Sequence, residues 1–407
     1  MNDKQVHTLI KKEEKRQNET LDFIASENSV SSDVLFALGS RLTNKYAEGY
    51  PHARYYGGNE FIDQIEELVQ KRALKLFKIS DKKWSVNVQP YSGSPANLAV
   101  YHALVPLGEK IMGMSLDMGG HLTHGHKASV TGKVWCQVPY GVSKKTGEID
   151  YPELMKIAKR ENPKLIIAGG SAYPRKINFK EFRRVADACG ALLMVDMSHF
   201  AGLVAGGAHP SPFPYADIVT TTTHKTLRGP RAAVIFSKIE LMKAINKAVF
   251  PGLQGGPHIN AIASVGVALK EADSKAFKVY AVQVVKNAKV LGEELKKRGW
   301  DIVSGKTETH LLLVNTMSKG ISGGEASEKL ERVGIVANKN MLPYDERKPN
   351  DPSGVRLGAA TLTTRGMKEK EMKIVAELIS ATLLGEKSIK EIKTQVLRLC
   401  RKFPIKK

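Results

Sequence analysis

Cysteine is scarce. Cys136, Cys189 and Cys400 are the only three in 407 residues. Three cysteines cannot build a disulfide framework, and they fit a reducing compartment. No run of about 18 uninterrupted apolar residues occurs, which argues against a membrane span. The opening Met1-Asn2-Asp3-Lys4 lacks the apolar core of a signal peptide, so the expected location is the cytoplasm. Internal repeats and low-complexity stretches are also missing. Acidic residues are few, 41 Asp+Glu against 62 Lys+Arg, for a net charge of +21. Disorder does not follow, because the apolar share of 42% and the charged share of 25% are ordinary for a globular chain.

An excess of this size invites a nucleic-acid reading, since basic patches release counterions from phosphate backbones. Residues 387–407, however, hold eight Lys/Arg and one Glu, a third of the excess. No zinc-finger spacing and no aromatic RNA-binding segment accompanies the charge. A solvated, lysine-rich surface accounts for it, and nucleic acid is not an expected partner.

The length points to more than one core, since single cores stop growing near ~250–300 residues. The first 20 residues are polar and read as an exposed helix or arm. From Phe61 to Phe77, the residues Phe61, Ile65, Leu68, Ala73 and Leu76 follow a helical period. Short apolar runs come next: Ser85–Val88, Lys110–Met114, Leu165–Ala168, Ala191–Val195, Asp217–Thr220, Ala232–Phe236 and His310–Val314. Helical patterns fall between several of them, at Tyr151–Arg160, Lys180–Ala188 and Ile239–Ala248. That alternation predicts an α/β fold whose largely parallel sheet is covered on both faces. One long helical stretch, Ile259 to Lys297, leads into a smaller C-terminal part. Its last helix carries Ile389, Ile392, Val396, Leu399 and Phe403 on one stripe. The proline-rich segment Met341–Gly354 is too long for a turn and reads as a functional loop.

Ligands of open α/β sheets bind beyond the carboxyl ends of the strands. Four polar signals occupy such places. Ser92-Gly93-Ser94 opens a helix whose free N–H groups suit a phosphate, although a plain turn and N-cap explain it equally well. Asp196 ends an apolar run and is either a helix cap or a carboxylate held to pair with a cation. Lys225 follows four threonines and His224; desolvation there would favour the neutral amine that forms a Schiff base. Together, Asp196 and Lys225 suggest pyridoxal phosphate: the lysine holds the aldehyde and the carboxylate keeps the pyridine nitrogen protonated. His121, His124 and His126 could be metal ligands, but no HExxH helix and no nearby Cys or acidic set supports a metal. An imidazole stacked on a flat cofactor ring is the better use, and one histidine suffices for it.

These residues lie inside longer motifs: Ile24-Ala25-Ser26-Glu27-Asn28, Asn44 to Pro51, Arg54-Tyr55-Tyr56-Gly57-Gly58, Ser92 to Asn97, Gly119 to Gly125, Val195 to His199, Thr220 to Arg231, and Gln254-Gly255-Gly256-Pro257. In them the chain resembles, over nearly its whole length, the serine hydroxymethyltransferase family of pyridoxal-phosphate enzymes with the aspartate-aminotransferase fold. The resemblance implies fold type I: a large domain with a mostly parallel seven-stranded sheet flanked by helices, and a smaller α+β C-terminal domain. The corresponding division is an N-terminal arm over 1–25, a pyridoxal-phosphate domain over 26–270 and a small domain over 271–407.

The resemblance further implies reversible conversion of L-serine and tetrahydrofolate to glycine and 5,10-methylenetetrahydrofolate, through aldimine and quinonoid intermediates. Lys225 matches the Schiff-base lysine, Asp196 the partner of the pyridinium nitrogen, His199 the residue near the cofactor O3′ and His121 the stacking histidine. Ser92, Gly93, Ser94, Ser171, Thr222, Tyr46, Gly255 and Gly256 match cofactor contacts, the two glycines from a partner subunit. Ser26, Glu48, Tyr56 and Arg356 match substrate contacts, and Glu48, Tyr56 and His224 join the catalytic set. Leu116, Gly120, His121, Leu122 and Asn340 match folate contacts. The partners implied are serine or glycine, a reduced folate and a second copy of the chain, in a homodimer with shared active sites. Two departures are visible: Ala359 stands where the family usually has threonine, and the Met341–Gly354 loop is shorter than the common bacterial form. A modified pterin, or a threonine-type aldolase working without folate, are the alternative readings.

Overall fold

The structure, a computed structural model, describes residues 2–405. The chain forms two compact units. One is Val30–Val282; the other joins the residues up to Ser29 to those from Gln283 onward. The N-terminal residues thus group with the C-terminal ones, with Leu21 and Phe23 in that unit's core.

Val30–Val282 is built on a seven-stranded sheet. Its strands in chain order are β1 (Trp84–Asn87), β2 (Lys110–Met114), β3 (Cys136–Tyr140), β4 (Leu165–Ala168), β5 (Leu192–Asp196), β6 (Ile218–Thr222) and β7 (Ala233–Lys238). Their order across the sheet is β1-β7-β6-β5-β4-β2-β3. β7 runs antiparallel to both neighbours, with Phe236 opposite Val219 on one side and Val86 on the other. The remaining pairs are parallel. Every residue of β4 and of β6 is buried, as helix-covered parallel strands require. Helices Tyr151–Glu161, Phe179–Cys189 and Ile239–Lys247 stand where the sequence puts them.

Several features differ from the sequence reading. The edge strand β3 was not expected. It holds Pro139, which lacks a ladder donor and is tolerated on an edge strand. The stretch from Ile259 is two helices, Ile259–Ala272 and Lys275–Lys297, broken at Asp273-Ser274, where the Ser274 hydroxyl accepts the Phe277 amide. In helix Glu60–Leu76 the buried face is Ile62, Glu66, Val69, Ala73 and Leu76. Phe61 and Leu68 point outward, 69% and 46% exposed. Glu66 occupies the middle of the buried face as an ion pair, so a purely hydrophobic period marks the stripe one position off.

The other unit carries an antiparallel sheet of β8 (Asp301–Ile302), β9 (Leu311–Asn315), β10 (Asn338–Asn340) and β11 (Gly354–Gly358), in the order β8-β9-β11-β10. Its core gathers Leu291, Leu312, Leu330, Val355, Met372, Ile379 and Val396. In the last helix, Ile389–Lys402, the stripe buries Ile392, Val396, Leu399 and Cys400, while Ile389 is exposed. Helix Lys4–Glu19 buries no residue. The Met341–Gly354 segment is braced from within: Asp345 accepts the amides of Leu342, Arg347 and Ser353 and the Ser353 hydroxyl.

Candidate active site

The parallel strands deliver their carboxyl ends to one edge of the large sheet. There Ser92, Gly93, Ser94, Asn97, His121, His124, Gly170, Ser171, Asp196, Ser198, His199, Thr222, His224, Lys225 and Arg231 line a single cavity. Ten of these were singled out in the sequence: Ser92, Gly93, Ser94, His121, Ser171, Asp196, His199, Thr222, His224 and Lys225.

Asp196, the last residue of β5, is buried. Its Oδ1 accepts the Ser198 amide at 3.0 Å, and its Oδ2 accepts Asn97 Nδ2 at 2.9 Å and meets His124 Nε2 at 3.2 Å. Burial opposes its charge, but the His124 hydrogen bond, the His124 and His121 rings and the Ser198 side chain outweigh burial and hold the carboxyl well below the usual range. His124 Nδ1 accepts the His121 amide at 3.3 Å, which leaves the ring proton on Nε2, facing Asp196.

The loop with His121 is made of two tight turns, Leu116–Met118 and Leu122–His124. Between them Gly119 has φ +107°, and its carbonyl accepts the amides of Ser171 and Ala172. A side chain at Gly120 would run into the Met114 carbonyl. This docking sets the His121 ring at the cavity. Its Nδ1 accepts the Thr123 amide at 3.2 Å and lies 2.7 Å from Thr123 Oγ1. That hydroxyl accepts from Asn97 Nδ2 at 2.9 Å and so gives its own proton to the imidazole. Burial, with His124 and Lys225 against Asp196, pushes His121 down to about 4, so the ring is neutral near pH 7. Leu116, Gly120 and Leu122 lie on the same loop, with Leu122 exposed.

Lys225 Nζ donates to Thr222 Oγ1 at 2.8 Å. His224 is pushed down to about 3 by burial and by the charges of Lys225 and Arg231, and its Nδ1 has no hydrogen-bond partner among the described residues. The helix Gly93–Leu104 opens onto the cavity with Ser92 as N-cap, and the Ser92 hydroxyl makes no capping bond. A Cβ at Gly93 would stand 2.7 Å from Thr222 Cγ2, so only glycine leaves the backbone accessible there. An ionised carboxylate, a neutral imidazole, a lysine amine and a free helix N-terminus form a donor set that fits a pyridine aldehyde phosphate. Among the described residues, no group of three or more His, Cys, Asp or Glu could hold a metal ion.

The other predicted residues stand elsewhere. Glu48, Tyr46, Tyr56, Gly255 and Gly256 do not line this cavity; they form a second cluster on the same unit. A Cβ at Gly255 would stand 3.1 Å from Glu48 Oε1, and one at Gly256 3.2 Å from the Tyr46 ring. The Tyr46 and Tyr56 rings meet edge to face at 5.1 Å, and Tyr91, next to Ser92, donates to Gly256 O at 2.7 Å. Ser26, Asn340 and Arg356 belong to the other unit. Arg356, on β11, donates from Nε to Asn338 Oδ1 at 3.1 Å, and burial pushes its pKa down to about 10. Gly358, two residues on, donates its amide to Phe23 O at 2.7 Å, which brings the Ser26 segment beside β11. Asn340 donates to its neighbour Met341 O.

Sequence reasoning assigned no role to Asn97, His124, Gly170, Ser198 or Arg231. All but Gly170 lie in motifs quoted above. The signal for His124 was its spacing from His121 in a glycine-bounded loop, which a single stacking histidine did not use up.

The match to known proteins is equally extensive. The family model described as serine hydroxymethyltransferase matches residues 1–379. The chain is 52% identical over 405 residues to a serine hydroxymethyltransferase of Desulfotalea psychrophila, covering 99% of this chain and 94% of that one. It is 53% identical over 407 residues to one from Methanosarcina barkeri, covering 99% and 98%. A third, from Koribacter versatilis, is 52% identical over 406 residues, covering 99% and 94%. With matches of this extent and a cavity that groups ten of the expected residues, the chain belongs to the serine hydroxymethyltransferase family.

Proposed function

We propose that this chain transfers the hydroxymethyl carbon of L-serine to a reduced folate, leaving glycine, with pyridoxal phosphate as cofactor. The observation that carries the reading is the convergence of Lys225, Asp196 and His121 on one cavity at the N-terminus of helix Gly93–Leu104. Family membership favours this transfer over a folate-independent aldolase.

When bound, pyridoxal phosphate supplies an aldehyde for an amine to attack and a ring that accepts electrons. Lys225 Nζ would hold the aldehyde carbon. Asp196, kept ionised, retains a proton at the pyridine nitrogen. The neutral His121 ring would pack on the cofactor face, and Ser92, Gly93 and Ser94 would take the phosphate at the helix N-terminus. Arg356 and Ser26 grip the serine carboxylate; the guanidinium fork suits that bidentate task. Held in that way, the carboxylate would let the Cα–Cβ bond align for cleavage. Glu48 moves the proton at the serine hydroxyl as that bond breaks. Leu116, Gly120, Leu122 and Asn340 receive the pterin. The Glu48 cluster serves the cavity of a second copy in a homodimer, consistent with its absence from the lining of the chain's own cavity. The cytoplasm is the proposed location; among the described residues no helix is long and apolar enough to cross a membrane.

The test is the visible spectrum of the purified protein with added pyridoxal phosphate, titrated with glycine and then tetrahydrofolate. A coloured protein whose glycine complex gains a long-wavelength band only when tetrahydrofolate joins supports both cofactor and second substrate. Colour without a folate response keeps the cofactor and moves the second substrate to another pterin, or the activity to an aldolase. A protein that stays colourless overturns the reading.

A further inference from the structure

Glu48 immediately precedes a short hairpin that pairs Gly49 with Arg54 and Tyr50 with Ala53. Three successive carbonyls around Glu48 are tied down. Ala47 O and Gly49 O each accept from Arg54 Nη1 at 2.9 Å, and Glu48 O accepts the Tyr55 amide at 3.0 Å. The rest of the guanidinium is equally occupied: Nε donates to Asp63 Oδ1 at 2.9 Å and Nη2 to Glu66 Oε2 at 2.6 Å. Both acids project from helix Glu60–Leu76. Asp63 also accepts the His52 amide at 2.9 Å, at the tip of the hairpin.

Gln89 extends this frame. Its Nε2 donates to Glu66 Oε1 and to Gly49 O, each at 2.9 Å. Its carbonyl accepts Gln254 Nε2 at 2.7 Å, and Gln254 precedes the two glycines that face Glu48 and Tyr46. One chain of hydrogen bonds therefore joins the backbone on either side of Glu48 to the turn against which the Glu48 carboxyl rests.

Stability does not explain such a cluster. The Arg54 side chain is 4% exposed and that of Glu66 1%. Burial pushes the Glu66 pKa up while Arg54 and Gln89 pull against it. Apolar residues of the same volume usually stabilise a fold as well as a buried ion pair, or better. The cluster supplies geometry instead. A planar fork bonded to Ala47 O, Gly49 O, Asp63 and Glu66 cannot turn without breaking several bonds at once. A group that moves protons needs that constancy.

We propose that Arg54, held by Asp63 and Glu66, is a positioning residue that fixes the Glu48 carboxyl over the Gly255–Gly256 turn; the inference rests on the reading of Glu48 as the group that moves the serine hydroxyl proton. Lysine at position 54 keeps the charge and loses the fork.

The experiment compares wild type, Arg54→Lys, Glu48→Gln and the double variant, all as holoenzymes, with serine and tetrahydrofolate. Arg54→Lys is expected to lower kcat by roughly 10²-fold, the size of effect that a misplacement of about 1 Å produces. Serine KM, pyridoxal-phosphate affinity and the visible cofactor band should stay within about twofold, and the double variant should be no slower than Glu48→Gln alone. Should Arg54→Lys not fold, Asp63→Asn, which removes one acceptor of the fork, carries the same comparison. Losses that multiply in the double variant, or that fall on KM or cofactor affinity, overturn the positioning role and leave Glu48 in place. Full turnover by Glu48→Gln overturns the Glu48 reading and the inference with it.

Discussion

His124 Nε2 stands 3.2 Å from Asp196 Oδ2, and the opposite ring nitrogen accepts the His121 amide at 3.3 Å. The backbone of one histidine thus sets the tautomer of another, and that tautomer presents an N–H to the carboxylate. Asp196 needs the support because it is buried, and an unsupported buried carboxylate takes up a proton.

His124→Leu removes the donor and keeps the bulk. Loss of a hydrogen bond to a charged group costs about 1.5–3 kcal/mol, so Asp196 should rise toward the ordinary carboxylate range and turnover should fall tenfold or more. The measurement is kcat together with the visible spectrum of the bound cofactor between pH 5 and 9. Turnover within twofold of wild type across that range would show that the reaction does not depend on the His124 bond to Asp196.

Lys225→Ala tests the nucleophile. Lys225 Nζ donates to Thr222 Oγ1, while the carboxylate of Asp196 is bonded by Asn97, His124 and Ser198. The variant is therefore expected to retain pyridoxal phosphate when free amino acid is supplied, and to lose multiple turnover entirely. Single-turnover and steady-state rates separate these outcomes. Normal steady-state turnover would remove Lys225 from the reaction.

Much of this site was legible in the sequence because strand-end residues announce themselves: Asp196 ends an apolar run, Lys225 follows a strand that runs into four threonines, and Ser92 opens a helix at a glycine. What the sequence concealed was of two kinds. Long-range pairing was invisible. Asn97 and His124 matter through Asp196, 99 and 72 residues away, and no local period reports such a bond. Polar burial was also invisible. Glu66 interrupts the apolar face of its helix because Arg54 meets it there, and hydrophobicity alone shifted that face onto Phe61 and Leu68. The edge strand Cys136–Tyr140 escaped because Pro139 and its exposed positions mask a two-residue alternation.

Arg356→Ala should separate substrate binding from cofactor binding. Burial already lowers the Arg356 pKa, and a guanidinium in such a place gains most from an anion. Removing one partner of a buried charge pair costs about 2–5 kcal/mol, so serine KM is expected to rise by about 10²-fold or more with pyridoxal-phosphate affinity unchanged. Arg356→Lys should recover only part of the loss, since an ammonium cannot make the paired bonds of the fork. Serine affinity within twofold of wild type in the alanine variant would count against the assignment.

Asp22 gives a stability effect whose sign can be worked out. Burial, and then the neighbouring Glu27, raise its pKa to about 7, while the Ile24 amide and the Thr361 hydroxyl pull the other way. Arg16 is the cation that faces both carboxyls. With an unfolded value near 3.8, the folded chain holds a proton between about pH 4 and 7 that the unfolded chain has released. Stability therefore falls as pH rises through that window and stays lower above it. At about 1.4 kcal/mol per unit, Asp22 should account for ~2–3 kcal/mol of loss between pH 5 and 8. Asp22→Asn mimics the protonated form: its carbonyl can still accept the Ile24 amide, which Asp22 Oδ1 accepts at 2.8 Å, and its amide offers Glu27 a donor. The urea midpoint of the variant should exceed that of wild type at pH 8 and converge with it at pH 5. Parallel pH profiles for the two proteins would mean that Asp22 is ionised throughout, with Arg16 prevailing over burial and Glu27.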